Sequence, residues 1–293
     1  MVKHAAEQLH FTVNGMRYAA QRWQNTDTKG ALKPVLCLHG WLDNSESFAR
    51  LAPMLEQCDV VALDMAGHGE TSHRAAHARY DIYDDLEDIA DLTTDFGWQQ
   101  FNLLAHSRGA GIATLFASIF PERVHSLVSL DGIAPPPLAE RNFIEQLRAH
   151  IEERAAMRNK LPKPYATLEQ AMERRLQSTR LSVVDAKDMF VRDLVQNDEG
   201  YIWRHDRRLH GASAVRMSDE HIALMLSLLQ TPTLVIGAEQ GMLAERDWLK
   251  GTLENPHIKV SSHPGSHHMH VATEHAPSLA AMINRWWREG CPV

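Results

Sequence analysis

The 293-residue chain predicts an α/β fold built on a doubly wound, mostly parallel sheet. Three observations predict it. Short runs rich in Val, Ile and Leu recur without polar alternation, as expected of strands covered on both faces. Helical patterns separate those runs, and the polar residues suited to chemistry come directly after them.

In chain order, apolar segments around 9–13 and 17–23 flank Asn14-Gly15, a strong hairpin dipeptide, so the sheet opens with an antiparallel pair. The run 35–38 ends at His39-Gly40, and 60–63 ends at Asp64. A helix is expected over 82–94, with Leu86, Ile89, Ala90 and Thr93 on one side. The run 101–104 ends at Ala105-His106-Ser107, and a helix that is apolar nearly throughout comes next, over 111–120. The run 124–130 ends at Asp131-Gly132, 233–236 ends at Gly237, and 258–260 is the closing strand.

The stretch 135–216 breaks this rhythm. Entered through Pro135-Pro136-Pro137, it shows helical patterns and no convincing buried strand. Ile144, Leu147, Ile151 and Ala155 fall at helix spacing, and Thr167 with Gln170 reads as a capping box, as does Ser182 with Asp185 more loosely. Residues 141–216 hold 15 Lys/Arg against 11 Asp/Glu, while the whole chain stands at −7, so the insertion has its own charge balance. The expected division is core (1–134), helical lid (135–216) and core again (217–293).

Composition narrows the class. Apolar residues at 44% and charged residues at 23% are ordinary for a globular chain and exclude a disordered or fibrous one. No run reaches the ~18 apolar residues of a membrane span. The first ten residues carry Glu7 and Gln8 and no apolar run, so no secretory leader is expected. A mildly acidic chain without a Lys/Arg run gives no reason to hold nucleic acid. Cys37, Cys58 and Cys291, an odd number without CxxC spacing, read as reduced thiols of a cytoplasmic protein.

Ligands of open parallel sheets bind beyond the carboxyl ends of the strands. Ser107 lies there, in Ala105-His106-Ser107-Arg108-Gly109, between a strand and a helix. Small neighbours permit the tight turn of a nucleophile elbow, and the helix N-terminus behind it favours negative charge. A serine hydroxyl needs a base held by a third group. His267 is the candidate base in the run His263-Pro264-Gly265-Ser266-His267-His268-Met269-His270; His263 and His268 read as solvated loop histidines, and no metal is expected. Asp131 and Glu239 compete as the orienting acid. The amides of Trp41 and Arg108 are candidate oxyanion-hole donors. Trp41, Phe48, Trp203 and Met242 are candidate substrate-pocket walls.

The segments Leu38-His39-Gly40-Trp41-Leu42-Asp43-Asn44 and Asp64-Met65-Ala66-Gly67-His68-Gly69-Glu70-Thr71-Ser72, the elbow at Ser107 and Gly265-Ser266-His267 together resemble the α/β-hydrolase superfamily. The likeness runs toward its epoxide-hydrolase-like and serine-hydrolase-like members, and 135–216 occupies the place of their helical cap. The resemblance implies an eight-stranded α/β-hydrolase fold with a cap. The family's acid usually sits after the penultimate strand as Gly-x-x-Asp, whereas Gly237-Ala238-Glu239-Gln240-Gly241 holds no Asp. Some dehalogenases of the fold carry it one strand earlier, which favours Asp131 over Glu239. Relatives that open epoxides or displace halide use an elbow Asp; a serine suits esters, thioesters or lactones through an acyl-enzyme. The resemblance therefore implies a cofactor-free serine hydrolase of a small acyl ester. Catalytically weak ligand-binding members and cofactor-free perhydrolases are its rivals. Arg108 departs from the usual apolar residue and would bind a substrate carboxylate or pair with an acidic neighbour.

Overall fold

A computed structural model describes residues 5–25, 31–157, 162–179, 181–244 and 254–293. Its strands are β1 (Glu7–Val13), β2 (Met16–Gln24), β3 (Lys33–Leu38), β4 (Cys58–Leu63), β5 (Phe101–His106), β6 (Val124–Leu130), β7 (Leu194–Asn197), β8 (Gly200–Trp203), β9 (Thr233–Gln240) and β10 (Ile258–Ser266). The helices are α1 (Ile82–Asp95), α2 (Arg108–Ile119), α3 (Phe143–Met157), α4 (Leu168–Thr179), α5 (Val183–Arg192), α6 (Asp219–Leu228) and α7 (Ala276–Arg288). Eight strands form one sheet in the order β1-β2-β4-β3-β5-β6-β9-β10. It is parallel from β4 to β10, and β1 and β2 are antiparallel. At the β1–β2 turn Asn14 and Gly15 have φ of 50° and 76°, the positive pair a two-residue hairpin needs to match strand twist.

Strand β3 shows why the runs do not alternate. Leu36 and Leu38 join one apolar cluster with Ile89 of α1, Phe116 of α2 and Ile222 of α6. Val35 and Cys37 join another, with Phe48, Leu51 and the α7 residues Leu279, Ile283 and Trp286. Successive side chains point to opposite faces, and both faces are covered.

The segment between β6 and α6 carries α3, α4, α5 and also the antiparallel hairpin β7–β8. The expectation of helices alone is corrected here. Each strand has four residues, none but Leu194 fully buried, so neither forms an apolar run long enough to read as a core strand. Of the two expected capping boxes the N-cap half is present in each: the Ser182 hydroxyl accepts from the Asp185 amide (3.1 Å) and that of Thr167 from the Gln170 amide (3.3 Å). Helix α3 turns Phe143, Ile144 and Ile151 outward, with Ile144 68% and Ile151 66% exposed. Its inner face is polar: the Gln146 amide donates to Ser213 O and the His150 ring bonds Ala212 O, both at 2.7 Å.

Polar ties fasten this segment to the core. Arg192 of α5 reaches buried Asp64 at the end of β4 (2.9 Å), Asn44 Nδ2 donates to Met189 O (2.8 Å), and Trp41 Nε1 donates to Leu209 O (3.0 Å). Among the described residues no helix is long and apolar enough to cross a membrane.

Candidate active site

Strand β5 is buried along its whole length and delivers Ser107 at its carboxyl end. Ser107 adopts φ 51°, ψ −114°, a conformation that L residues rarely take and that persists only where the surroundings enforce it. Its amide donates to Leu130 O (3.1 Å), and α2 starts at the next residue. The turn is tight because α2 starts directly against β3: a Cβ on Gly109 would come within 2.6 Å of His39 O. This close approach requires glycine.

Ser107 Oγ lies 2.9 Å from His267 Nε2, and His267 Nδ1 lies 2.5 Å from Asp131 Oδ2. An ionised Asp131 accepts a hydrogen bond from the Nδ1–H of His267, which leaves Nε2 to accept one from the Ser107 hydroxyl. Asp131 sits just past β6 at φ 43°, and its carboxylate accepts the amides of Met242 (2.7 Å), Ala238 (3.1 Å) and Leu243 (3.3 Å). Burial works to raise its pKa, but hydrogen bonds from the His267 ring and the Met242 and Ala238 amides outweigh it and hold the group below the usual carboxylate value. Gly241 makes room, since a Cβ there would run into the Asp131 carboxylate. Glu239, the other candidate acid, points outward at the exposed end of β9.

The amides of Trp41 and Arg108 flank the same end of the sheet, and neither finds a protein acceptor among the described residues. Of the two readings of the Arg108 side chain, the structure has the acidic neighbour: its guanidinium meets Asp85 of α1 at 2.6 Å. Trp41, Trp203 and Met242 line a cavity of about 1600 Å³ that opens onto Ser107 and His267. Phe48 does not. It is fully enclosed beneath the pocket, its ring 5.4 Å from that of His270, because the short turn Ser45–Phe48 folds it into the lower apolar cluster.

The histidine run also differs from expectation. His263 and His268 are not solvated but buried, at 3% and 8% exposure. His263 bonds Pro264 O (2.6 Å) and Ser278 Oγ (2.9 Å), pinning β10 to α7. His268 Nε2 lies 3.3 Å from Asp43 Oδ2, and His106 Nδ1 lies 3.6 Å from the same oxygen. Burial works against an ionised Asp43, yet His268 and His106 outweigh it and hold the carboxyl well below its usual range. Burial, then nearby His267, pushes His106 down to about 4. Its Nε2 bonds His267 O (2.9 Å), so this ring braces the backbone that carries His267. Asp43, His106 and His268 each offer one donor atom within 4.8 Å of the others, and are the three groups among the described residues that could share a metal ion. Sequence reasoning quoted Asp43, His106 and Gly241 without assigning them work. The available signal was His106 at the end of a largely apolar strand, directly before the elbow.

The family model for the alpha/beta hydrolase fold matches residues 33–257. The chain is 31% identical over 299 residues to serine hydrolase-like protein 2 of Homo sapiens, covering 93% of this chain and 92% of that protein. It is 28% identical to a serine hydrolase-like protein of Dictyostelium discoideum, covering 88% and 75% respectively. A solved structure of a hypothetical protein from Pseudomonas aeruginosa PAO1 superposes with a TM-score of 0.90 at 34% identity, over 96% of this chain and 99% of that one. These likenesses support a hydrolase of this fold.

Proposed function

The chain belongs to the α/β-hydrolase fold family, and from that premise we propose that it is a serine hydrolase cleaving a carboxylic ester, or the related thioester or lactone, through an acyl-enzyme on Ser107. The observation that carries the reading is the continuous relay Asp131–His267–Ser107, at 2.5 and 2.9 Å, opening into the large cavity.

In this reading His267 Nε2 takes the hydroxyl proton as Ser107 Oγ attacks the acyl carbon. Asp131 keeps the ring in the productive tautomer and stabilises the imidazolium. The oxyanion is met by the amides of Trp41 and Arg108, each donor supplying about 3 kcal/mol of transition-state stabilisation. His267 then returns the proton to the leaving oxygen or sulfur. Water repeats the sequence on the acyl-enzyme, releasing the acid and restoring the serine. Residues 135–216 act as a lid, since α3, the β7–β8 hairpin and the turn Arg207–His210 contribute to the cavity wall.

Fluorophosphonate labelling with peptide mapping, run beside p-nitrophenyl ester turnover, tests the proposal. A label on Ser107 and loss of both signals in Ser107→Ala are expected. An unlabelled Ser107 would move the chain to the ligand-binding members of the fold. Peroxide-dependent perhydrolysis outrunning hydrolysis would move it to the perhydrolases.

A further inference from the structure

The cavity differs in charge from the chain that encloses it. The sequence holds 30 Lys/Arg and 37 Asp/Glu, yet the cavity is lined by nine Lys/Arg and three Asp among the described residues. One of the three carboxylates, Asp131, is engaged by His267. Some of the cations are also balanced. Arg108 pairs with Asp85, Arg208 with Asp206 at 2.6 Å, and Arg175 lies 3.7 Å from Asp43.

Arg154 and Arg216 are different. Arg154 reaches in from the polar inner face of α3, and its hydrogen bond goes to His77 O. Arg216, at the exit of the lid segment, donates to Pro136 O and Pro137 O. Carbonyl oxygens satisfy N–H groups but do not cancel a charge, and neither guanidinium has a carboxylate within ion-pair distance among the described residues. Both are partly buried, so screening by solvent is reduced. The same sign of field shows at His210 on the cavity wall: partial burial first, then His205, Arg175 and Arg207, push its pKa down to about 4. A volume of about 1600 Å³ also exceeds the ~300–1,000 Å³ of ordinary small-molecule sites, leaving room for a group remote from the reacting carbonyl.

We infer that the substrate carries an anionic group, a carboxylate or a phosphate, away from the bond that is cleaved, and that Arg154 and Arg216 receive it. The inference rests on the hydrolase reading above and deepens it. A planar guanidinium binds carboxylate and phosphate oxygens in pairs, which would set the orientation of a long substrate. A concave cationic wall would also concentrate such a substrate from solution.

The test compares kcat/KM for three acyl donors at low salt. They are p-nitrophenyl butyrate, neutral; mono-p-nitrophenyl adipate, with the charge on the acyl side and too far along the chain for efficient self-cleavage; and butyryl-coenzyme A, with phosphates on the leaving side. One anionic donor is expected to exceed the neutral ester at least tenfold relative to their uncatalysed hydrolysis rates, and the preferred donor identifies the side. Raising the salt from 20 to 500 mM should shrink that advantage. In Arg154→Gln/Arg216→Gln the anionic-to-neutral ratio should fall about tenfold, chiefly through KM. Equal ratios in the two proteins, or no preference for either anion at low salt, would overturn the inference while Ser107 still takes the fluorophosphonate label. Calorimetry with adipate and coenzyme A tests the cationic wall without turnover: saturable binding weakened by salt and by the double variant supports it, and no binding of either opposes it. A missing label on Ser107 counts separately, against the hydrolase reading.

Discussion

Two carboxylate–imidazole pairs in this molecule have the same first bond and different surroundings. In the core, His267 Nδ1 meets Asp131 Oδ2 at 2.5 Å; in the lid segment, His205 Nδ1 meets Asp193 Oδ2 at 2.5 Å. Beyond the ring they diverge. His267 Nε2 faces the Ser107 hydroxyl at 2.9 Å, whereas His205 Nε2 faces another imidazole, His210, at 3.3 Å. The His267 side chain keeps 21% of its surface open to the cavity, and that of His205 keeps 7%. Asp193 ends α5, and its carbonyl and carboxylate accept the amides of Arg204 and His205, so that pair closes the β7–β8 hairpin onto the helix. The contrast teaches that an aspartate–histidine pair is a general fastening. Under the proposed function it becomes machinery for attack only at His267, where a hydroxyl, unpaired donors and a cavity converge on its far nitrogen.

The comparison breaks most sharply at the hydroxyl. Ser107→Ala should cost about 10⁴- to 10⁶-fold in kcat on an ester the wild type turns over, leaving what the amide donors alone supply. Full retained turnover would reduce His267–Asp131 to the same status as the lid pair.

The same substitution at the two acids sharpens it. Asp131→Asn should lower kcat by about 10⁴, because an amide cannot hold the ring in the same tautomer. Asp193→Asn should leave kcat within about tenfold and instead lower the urea midpoint, by about 1–3 kcal/mol of stability, the cost of disturbing a buried hydrogen-bonded pair. Reversed outcomes would exchange the roles given to the two pairs.

The third contrast is one of pH. His39, His68, His106 and His270 are enclosed in the core around the elbow, and burial first of all lowers the pKa of each, His106 to about 4. Below about pH 6.5 the unfolded chain binds protons that these rings refuse in the fold. Stability is therefore full at neutral pH and declines as pH falls from 6.5 toward 4. Raising the pH restores it. His106 alone accounts for on the order of 3 kcal/mol across that range. A urea midpoint that stays flat between pH 7 and 5 would show that these rings take up protons without unfolding. The smallest effect is expected at Phe48→Leu, which should cost about 1 kcal/mol in stability and leave KM alone, because the ring is core and not pocket.

Much of the fold was legible because a strand covered on both faces is rich in Val, Ile and Leu without polar alternation, and its few buried polar residues, such as Asn102, Ser126 and Ser129, are hydrogen-bonded internally. That made 35–38, 101–104 and 124–130 readable, and it drew attention to the polar residues at the carboxyl end of each run. The hairpin β7–β8 escaped the same logic: four-residue strands with one face wet carry no such run. The histidines escaped for another reason. Imidazole is apolar enough to bury and polar enough to bond once buried, so nothing in the pattern separates solvated from enclosed rings, and His263 and His268 were misplaced on that account. Helix α3 was legible as a helix, but its side was not, since its outward apolar stripe and inward Gln146, His150 and Arg154 reverse the usual arrangement.

Local chemistry along the chain was enough to determine the α/β frame, the Asn14-Gly15 turn, and a serine, a histidine and a carboxylate at strand ends, because each depends on neighbours a few residues away. The family resemblance favours Asp131 over Glu239, but only the tertiary structure decided that the carboxylate of Asp131 meets His267, since both side chains end in the same group and direction separates them. The backbone at φ 43° turns Asp131 inward onto three amides, while Glu239 leaves the sheet on its exposed side. It also decided that cations of 135–216, whose surplus the sequence shows, line the cavity, because the charge of a segment does not say which of its sides carries that charge.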